Sequence, residues 1–396
     1  MAQFDPAAAT AAYLSALTPA QHAKAAAYTQ GGHWLLLWGA IGGVIIELII
    51  LWSGLLPRVR DGVERKRPRP GMAALATVSV AGLAEAILGL PWNIYSDWWR
   101  EKAYGLTSQP FPGWFGQWAL MGVISLVITT LLVVGLYALM RRAPRTWWIW
   151  GGGLVAGFFF VVIVLAPVFV EPLFNSYTPA PPGPVRDAVV AMAKANGVPS
   201  DKIFIYDGSR QSNRYTANVS GLFGTARVAM SDVMFKKDAD IAEVRAVVGH
   251  EMGHYVHRHV VWFALSHGLL ALIAFFLIDR LFPAVARIMG AKGVRGLADP
   301  AGYPVIGIIM TLLVLVSTPI RVSITRLQEA DADRFSLERV NEPDGLARAL
   351  VKTIEYRAAT PSALEEALFY DHPSVGSRVR RAMDWKAAHP PAQPPR

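Results

Sequence analysis

The stretch AVVGHEMGHYVHRH, from Ala246 to His259, places four histidines and one glutamate behind a short apolar run. Just upstream, Asp240 and Glu243 are typical of a helix N-cap and of the residue that completes a capping box. Apolar residues then recur at helical spacing, at Ile241, Val244, Val247 and Val248. The sequence therefore predicts that the histidines lie on a helix.

On a helix, His250 and His254 are four residues apart, so both imidazoles project from one face at a separation that suits a single tetrahedral Zn²⁺. Glu251 lies next to that face and can take a proton from metal-bound water, which is the H-E-x-x-H arrangement of metallopeptidases. We predict one Zn²⁺ per chain, held by both histidines, with Glu251 as general base. His257 and His259 have no acidic partner at ligand spacing, and we expect them to be polar residues at a membrane interface.

A catalytic zinc needs a third protein ligand and an open position for water. The chain contains no cysteine, so this ligand must be His, Asp or Glu. The segment ITRLQEADADRFSLERV, residues 324–340, is predicted to be a second helix on which Glu329 and Asp333 share a face. One of them can bind zinc while the other orients a ligand. Ordinary ion pairs with Arg326 or Arg334 are the alternative.

The whole chain is too apolar for an ordinary soluble domain, because 53% of its 396 residues are hydrophobic and only 17% are charged. A helix crosses a bilayer with about 20 mostly apolar residues. We expect about six such spans and a mainly α-helical membrane protein. The predicted spans are residues 34–56, 72–92, 118–140, 147–170, 261–282 and 303–324.

The polar segments indicate a small α+β zinc metallopeptidase domain that is split around the last two spans. Its strands are expected in KIFIYDG, residues 202–208, and in ARVAMSD, residues 226–232. The predicted organisation is a four-span membrane domain (1–173), a first metallopeptidase part with the H-E-x-x-H helix (174–260), two further membrane helices (261–324), a second metallopeptidase part with the third zinc ligand (325–385) and a disordered tail (386–396).

The net charge of +9 comes largely from Lys and Arg in short loops between spans, so we attribute it to membrane topology and exclude nucleic acid as a partner. Residues 58–69, 141–145 and 280–295 hold thirteen Lys or Arg, against three in the N-terminal tail and the loop after the second span. Because cytoplasmic loops collect these residues, the count puts the metallopeptidase segments outside.

Residues 247–254, VVGHEMGH, together with residues 326–333, RLQEADAD, resemble the H-E-x-x-H and E-x-x-A-D pair of the integral-membrane gluzincins, and specifically the type I CAAX prenyl endopeptidases. The resemblance implies that Glu329 is the third zinc ligand, with Asp333 in support. Residues 371–378, DHPSVGSR, are similar to the family's H-P followed by an arginine. They imply that His372 and Arg378 stabilise the tetrahedral intermediate.

The chain departs from this family in three respects. Where the family has N-A-Y or N-A-F on the strand that lines the substrate groove, this chain reads Thr216, Ala217, Asn218, so we take Asn218 or Asn213 as the substrate-binding asparagine. Eukaryotic members have seven spans instead of six. Their zinc faces the cytosol, whereas the loop charges here favour the outside, and the side stays open at this point.

The residues thus predict a zinc metalloendopeptidase embedded in the bilayer of the plasma (inner) membrane, acting on a peptide or protein. The substrate is expected to add as a strand beside residues 225–232. The family resemblance implies a prenylated CAAX peptide as substrate, and misfolded membrane proteins are equally compatible. The alternatives are a six-span transporter or channel, and an inactive scaffold that binds membrane proteins without cutting them.

Overall fold

The computed structural model describes residues 4–221 and 226–390, and it is mainly helical, as predicted. Four short strands form one small sheet within the described residues. In chain order the α-helices are α1 (Pro6–Leu14), α2 (Pro19–Trp52), α3 (Leu55–Glu64), α4 (Pro70–Asn93), α5 (Arg100–Ala103), α6 (Phe111–Arg142), α7 (Trp147–Phe169), α8 (Pro184–Ala195), α9 (Asp232–Lys236), α10 (Ile241–Val256), α11 (His259–Ile288), α12 (Tyr303–Val316), α13 (Thr318–Val340), α14 (Pro343–Lys352), α15 (Ala363–Phe369) and α16 (Val375–Ala388). The strands are β1 (Tyr177–Pro179), β2 (Ile203–Tyr206), β3 (Ala217–Ser220) and β4 (Arg227–Ser231).

Five helices of the described chain are long and apolar enough to cross a membrane. Large apolar side chains stand on their outer faces: Trp34, Leu131 and Trp262 are 61%, 62% and 61% exposed. Such surfaces are costly in water and are covered by lipid in a bilayer. These five helices are Pro19–Trp52, Pro70–Ala103, Phe111–Arg142, Trp147–Leu173 and His259–Ile288.

The sixth predicted span, residues 303–324, is not a single straight helix. α12 ends at Val316 and α13 begins at Thr318, with a bend of 53° between them. Pro319 lies in the first turn of α13, where it has no N–H to extend the hydrogen bonds of α12. Taken as one broken span the pair would be the sixth, and α13 runs on to Val340. The predicted boundary after residue 324 therefore falls inside a helix that leads directly into the metallopeptidase part.

The sheet has the strand order β1-β2-β4-β3. β2 and β4 are the two predicted strands and pair in parallel, while β1 and β3 pair antiparallel at the two edges. One face of the sheet packs on the H-E-x-x-H helix, because Val228 and Met230 of β4 share a buried cluster with Met252 of α10 and Phe335 of α13. This shared core fixes the sheet relative to both helices.

The start of α10 differs in part from the prediction. The Asp240 side chain caps the helix by accepting a hydrogen bond from the Glu243 N–H at 2.8 Å, as expected. The Glu243 carboxylate does not return to the backbone of Asp240. Instead it accepts from Lys352 Nζ at 2.6 Å and from Arg348 Nε at 3.3 Å, so the capping box was wrong. Glu243 instead ties α10 to α14.

The two ends of the chain pack together on the metallopeptidase part. Tyr13 of α1 donates to Asp344 Oδ1 at 2.7 Å, and Lys386 of α16 donates to Asp344 Oδ2 at 2.6 Å. The predicted tail from residue 386 was therefore wrong for its first residues, because α16 continues to Ala388. Residues 391–396 of that tail lie outside the described residues.

Candidate active site

Two helices that approach each other closely build the site. Gly249 and Gly253 on α10 face α13, where a Cβ at position 253 would lie 3.0 Å from the Cβ of Phe335 and 3.1 Å from the Cα of Ala332. A Cβ at position 249 would lie 2.5 Å from Val340 Cγ2. Only glycine permits this separation of the helix axes, which brings the histidines of α10 to the carboxylates of α13.

Three side chains converge between these helices. His250 Nε2 lies 3.1 Å from Glu329 Oε2, and His254 Nε2 lies 3.4 Å from Glu329 Oε1. The two histidine Nε2 atoms are 3.2 Å apart. Ligands held at the usual zinc distances in a tetrahedron are about 3.3 Å from one another. These three residues thus have the spacing of a zinc ligand set.

The outer nitrogen of each histidine has its own partner. His250 Nδ1 donates to Asp333 Oδ1 at 3.0 Å. His254 Nδ1 lies 2.9 Å from His259 Nδ1, and His259 Nε2 in turn lies 3.2 Å from Asp331 Oδ2. A carboxylate only accepts hydrogen bonds, so these contacts put the protons on the outer nitrogens of the inner pair. The lone pairs of both Nε2 atoms then point inward.

The inward-facing group is short of positive charge. Glu329 is 7% exposed, and its Oε2 accepts no hydrogen bond from the described residues. With neutral rings protonated on the outer nitrogens, two imidazole lone pairs and a carboxylate oxygen face each other, and a cation between them would satisfy all three. A buried carboxylate needs a partner of opposite charge. The donor set of two imidazoles and one carboxylate fits Zn²⁺.

Asp333 and Arg378 form a buried pair behind His250. Arg378 Nε donates to Asp333 Oδ2 at 2.7 Å and its Nη2 donates to Oδ1 at 2.6 Å. The two residues are 1% and 6% exposed. Two nitrogens of the guanidinium are thus engaged by the carboxylate that orients His250, and a direct role of Arg378 on the reacting peptide stays a prediction.

His372 reaches the same centre from the loop before α16. Its Nε2 lies 3.1 Å from Glu329 Oε2, and its Nδ1 lies 2.7 Å from Asp371 Oδ1. Arg357 Nη2 is 3.4 Å from His372 Nε2. Burial lowers the pKa of the His372 imidazole. Sequence reasoning missed Asp371 and Arg357. The position of Asp371 beside the H-P motif was a signal, whereas Arg357 had none.

A cavity of about 130 Å³ opens over this centre. Glu251 lines it together with His250, Glu329, His372 and Arg378. Burial raises the pKa of the Glu251 carboxyl above its ordinary value. A carboxylate with a raised pKa, next to a metal ligand set and facing a cavity, is suited to accept a proton from water.

The sheet borders the cavity through its edge strand. Thr216 and Ala217 line the cavity, and Asn218 follows in β3 with a buried Oδ1 that has no hydrogen-bond partner among the described residues. The predicted docking of substrate beside residues 225–232 was wrong, because β4 lies between β2 and β3 and has no free edge. Asn213 donates to the carbonyl of Gly105 at 3.0 Å and makes no contact with the ligand set.

The premise that His257 and His259 have no acidic partner at ligand spacing was wrong, while their place at a membrane interface stays a prediction. Both have an acidic partner in Asp331, which contacts His257 Nδ1 and lies 3.2 Å from His259 Nε2. Asp331 comes from the E-A-D-A-D run of α13 and points to the other side of that helix from Glu329. The middle acidic residue of that run, Asp331, was the signal in the sequence.

Two histidines and a glutamate on two packed helices, spaced so that they could hold a metal ion, with a second glutamate after the first histidine and membrane helices before and after, define a membrane-embedded metallopeptidase. Comparison with known families agrees with that class. Residues 179–386 match the model of peptidase family M48, and the chain belongs to this family. Residues 6–176 match the model described as CAAX prenyl protease N-terminal, five membrane helices.

Curated relatives and a solved structure extend over most of the chain. The Bacillus subtilis metalloprotease YhfN is 26% identical over 96% of this chain and 88% of its own length. A CAAX prenyl protease 1 homolog of Arabidopsis thaliana is 25% identical over 85% of this chain and 81% of its own. The crystal structure of S. mikatae Ste24p is similar in fold, with a TM-score of 0.75, 20% identity and coverage of 93% and 89% of the two chains.

The protein is therefore an integral multi-pass membrane metalloprotease that acts on peptide or protein substrates. The transporter or channel alternative finds no support, since the metallopeptidase family model covers the segment that carries the ligand triad.

Proposed function

We propose that the chain is a zinc-dependent endopeptidase whose single catalytic Zn²⁺ is held by His250, His254 and Glu329. The observation that carries the proposal is the convergence of two imidazole lone pairs and one buried carboxylate at mutual distances of 3.1–3.4 Å. Zinc bound by this set supplies a Lewis acid for the scissile carbonyl and lowers the pKa of a water ligand.

The surrounding residues transfer protons, bind the oxyanion and position the zinc ligands. Glu251 takes a proton from the attacking water and passes it to the leaving amine. Asp371 accepts a hydrogen bond from His372 Nδ1–H and orients the ring, with Arg357 beside Nε2. Once protonated on Nε2, His372 donates to the oxyanion that develops on the peptide carbonyl. Asp333 accepts a hydrogen bond from His250 Nδ1–H, and two hydrogen bonds from Arg378 keep the Asp333 carboxylate in position. Arg378 thus acts mainly as a positioning residue.

The substrate peptide adds to the free edge of β3. Because β3 pairs only with β4 among the described residues, its other side offers main-chain groups that recognise an extended peptide with little demand on its sequence. Asn218, with its free buried Oδ1, is the side chain of this strand that binds the substrate backbone.

We further propose a prenylated CAAX C-terminus as the substrate class. Curated relatives that cover most of the chain bear the name CAAX prenyl protease 1. A cavity of about 970 Å³ between α4 and α6, lined mostly by apolar and aromatic side chains, reaches Phe174 and Gln211. A cavity of this size and polarity accommodates a lipid chain attached to a peptide. The enzyme works in the plasma (inner) membrane, with the site on the cytoplasmic side.

The test uses the purified full chain in detergent, equilibrated with a zinc buffer that fills only tight sites. We expect about one zinc per chain and cleavage of a quenched fluorescent peptide. Glu251→Gln keeps the zinc and loses about 10³-fold in kcat, because the general base is gone. Glu329→Ala lowers the zinc affinity. Glu338→Gln, on the exposed face of the same helix, is the matched control and behaves like the parent.

Two results would contradict the proposal: a parent chain without zinc, or full cleavage by Glu251→Gln. Prenylated and plain versions of one peptide test the substrate class separately, and equal kcat/KM for the two would exclude a role of the lipid.

A further inference from the structure

A second group of metal-ligand side chains lies next to the first, made of His257, His259 and Asp331. Each offers a ligand atom, and these atoms lie within 4.8 Å of one another. We propose that the three residues form a second divalent-cation site, separate from the catalytic one, and that an ion bound there slows the peptidase.

The backbone brings the two histidines together. On a continuous helix, residues two apart project about 200° from each other, so His257 and His259 would face opposite ways. Here α10 ends at Val256 and α11 begins at His259, with Arg258 between them in the left-handed conformation at φ +54°. This conformation is unfavourable for a residue with a side chain. As a result of this backbone conformation, the imidazole rings of His257 and His259 both face Asp331.

The donor set defines the class of ion. His257 Nδ1 contacts Asp331 Oδ2, and His259 Nε2 lies 3.2 Å from the same oxygen, close to the separation of two zinc ligands. Two imidazoles and a carboxylate favour Zn²⁺ and its transition-metal neighbours over Mg²⁺ or Ca²⁺, which prefer oxygen alone. Arg334 Nη2 pairs with the other oxygen, Oδ1, and leaves Oδ2 to the rings.

The group is open enough to exchange ions. The side chains of His257 and Asp331 are 34% and 27% exposed, whereas those of His250 and Glu329 are both 10% exposed. Water can therefore fill the coordination positions that the protein leaves free. We expect a weaker and more rapidly exchanging site than the catalytic one, filled only when free metal is abundant.

The two sites share a hydrogen bond. When His254 binds zinc through Nε2, its Nδ1 carries a proton and donates to the lone pair of His259 Nδ1, 2.9 Å away. His259 then holds its own proton on Nε2, the atom that faces Asp331. An ion that binds His259 Nε2 displaces this proton, which moves to Nδ1 of the same ring because the ring stays neutral. The Nδ1–H groups of His254 and His259 then face each other, and the hydrogen bond that orients His254 is lost.

The consequence is antagonism between the second ion and catalysis. A catalytic ligand that loses its outer hydrogen bond binds its metal less well and in a less defined orientation. This coupling rests on the proposed catalytic zinc at His254, whereas the existence of the second site does not.

The experiment titrates the purified full chain with buffered free zinc and measures zinc per chain by elemental analysis. His257→Phe removes the ligand but keeps the edge contact that the His257 ring makes with Phe335, at 5.3 Å between ring centroids. His389→Gln, a change of another histidine far from the site, is the matched control. Cobalt(II), titrated in the same way, reports each site through its visible absorption.

We expect the parent and His389→Gln to rise from about one to about two zinc per chain, while His257→Phe stays at about one. At limiting zinc, all three cleave the peptide equally. As zinc rises through the second step, cleavage falls in the parent and in His389→Gln but not in His257→Phe. Asp331→Asn, which keeps the size of the side chain, also lacks the second step.

The second site is overturned if the parent never exceeds one zinc, or if His257→Phe gains the second zinc as the parent does. Uptake of the second ion with unchanged cleavage overturns the coupling to His254. A parent that cleaves no peptide at any zinc concentration contradicts the proposed function instead. The zinc counts still decide whether the second site exists, because Glu329→Ala weakens only the first site.

Discussion

At the scale of the residue, Asp333 connects the metal ligands to the rest of the domain. It is 1% exposed and accepts hydrogen bonds from His250 Nδ1 and from two nitrogens of Arg378. Asp333→Asn removes the charge and leaves Arg378 buried without an ionic partner. We expect a loss of about 3–5 kcal/mol in the free energy of unfolding. Zinc affinity should fall about 10–100-fold, measured by competition with a chromophoric chelator.

The control for this change is Asp384→Asn. Asp384 pairs with Arg380 at 2.8 Å on the exposed face of α16, where both side chains are about half exposed. Surface pairs of this kind contribute about 0–1 kcal/mol, so neither stability nor zinc affinity should change noticeably. If Asp333→Asn binds zinc as tightly as the parent, the support of His250 by this carboxylate is not what sets the affinity.

The positions of the candidate site residues were predictable from sequence only where the spacing along one helix decides them. The placement of His250, Glu251 and His254 on one part of α10 follows from the helical period. The sequence could not decide between Glu329 and Asp333 as the ligand, because both share a face of α13. Only the packing of α10 on α13 brings Glu329 to the Nε2 atoms of His250 and His254. The partner of His257 lies 74 residues further along the chain, and no local pattern connects them.

At the scale of the element, the separation of α10 and α13 sets the geometry of the ligand triad. Gly253→Ala would place a Cβ 3.0–3.1 Å from Phe335 and from the backbone of Ala332, so one helix must shift by a few tenths of an ångström. We expect a destabilisation of about 1–3 kcal/mol despite the better helix propensity of alanine. The shift also moves Glu329 away from the histidines, and zinc affinity should fall.

Gly62→Ala is the matched control for Gly253→Ala. Gly62 lies in α3, where an added Cβ meets nothing within 4 Å, so the same substitution should be neutral or slightly stabilising. Thermal unfolding and zinc competition on both variants separate the packing effect from the propensity effect. Equal zinc affinity in Gly253→Ala and the parent would contradict the close approach of the helices as the determinant of the site.

Long apolar helices were predictable because a run of about 20 apolar residues matches the thickness of a bilayer and exceeds the length of an ordinary buried helix. The short strands at the edges of the sheet were not predictable. β1 has three residues and ends in Pro179, and β3 has four, so neither gives a strand pattern of its own. Their places at the sheet edges depend on pairing with β2 and β4. The bend at Ser317 was signalled by Pro319, but the continuation of α13 into the site was not.

At the scale of the whole molecule, the membrane helices and the metallopeptidase part form one unit. Arg214, which leads into β3, pairs with Glu101 of α5 at 2.7 Å and donates to the hydroxyl of Tyr28 in α2. Thr29 Oγ1 accepts from the Ala358 N–H at 2.9 Å. The site is thus supported by the membrane helices, and the two parts are expected to unfold together.

This architecture makes the side of the membrane a property of the entire molecule, and the two sequence arguments about it disagree. The loop charges favour the outside, and the family resemblance implies the cytoplasm. Some of the counted charges have a structural role: Arg60 is buried against Asp299, and Arg295 pairs with Asp61 at 2.6 Å and with Glu64 at 3.1 Å. Because packing requires the buried Arg60 on either side of the membrane, this residue is a weaker indicator of topology than an exposed one. We give the family resemblance precedence and expect the cytoplasm.

The absence of cysteine from the chain permits a direct measurement. Pro68→Cys introduces a thiol into the exposed loop between α3 and α4, and Asp201→Cys introduces one into the exposed loop between α8 and β2, on the opposite side. With a membrane-impermeant maleimide applied to intact spheroplasts, Pro68→Cys should be labelled, and Asp201→Cys only after the membrane is opened. The parent chain, which has no thiol, sets the background. Labelling of Asp201→Cys in intact spheroplasts, with Pro68→Cys protected, would place the site outside and make the loop charges the better guide.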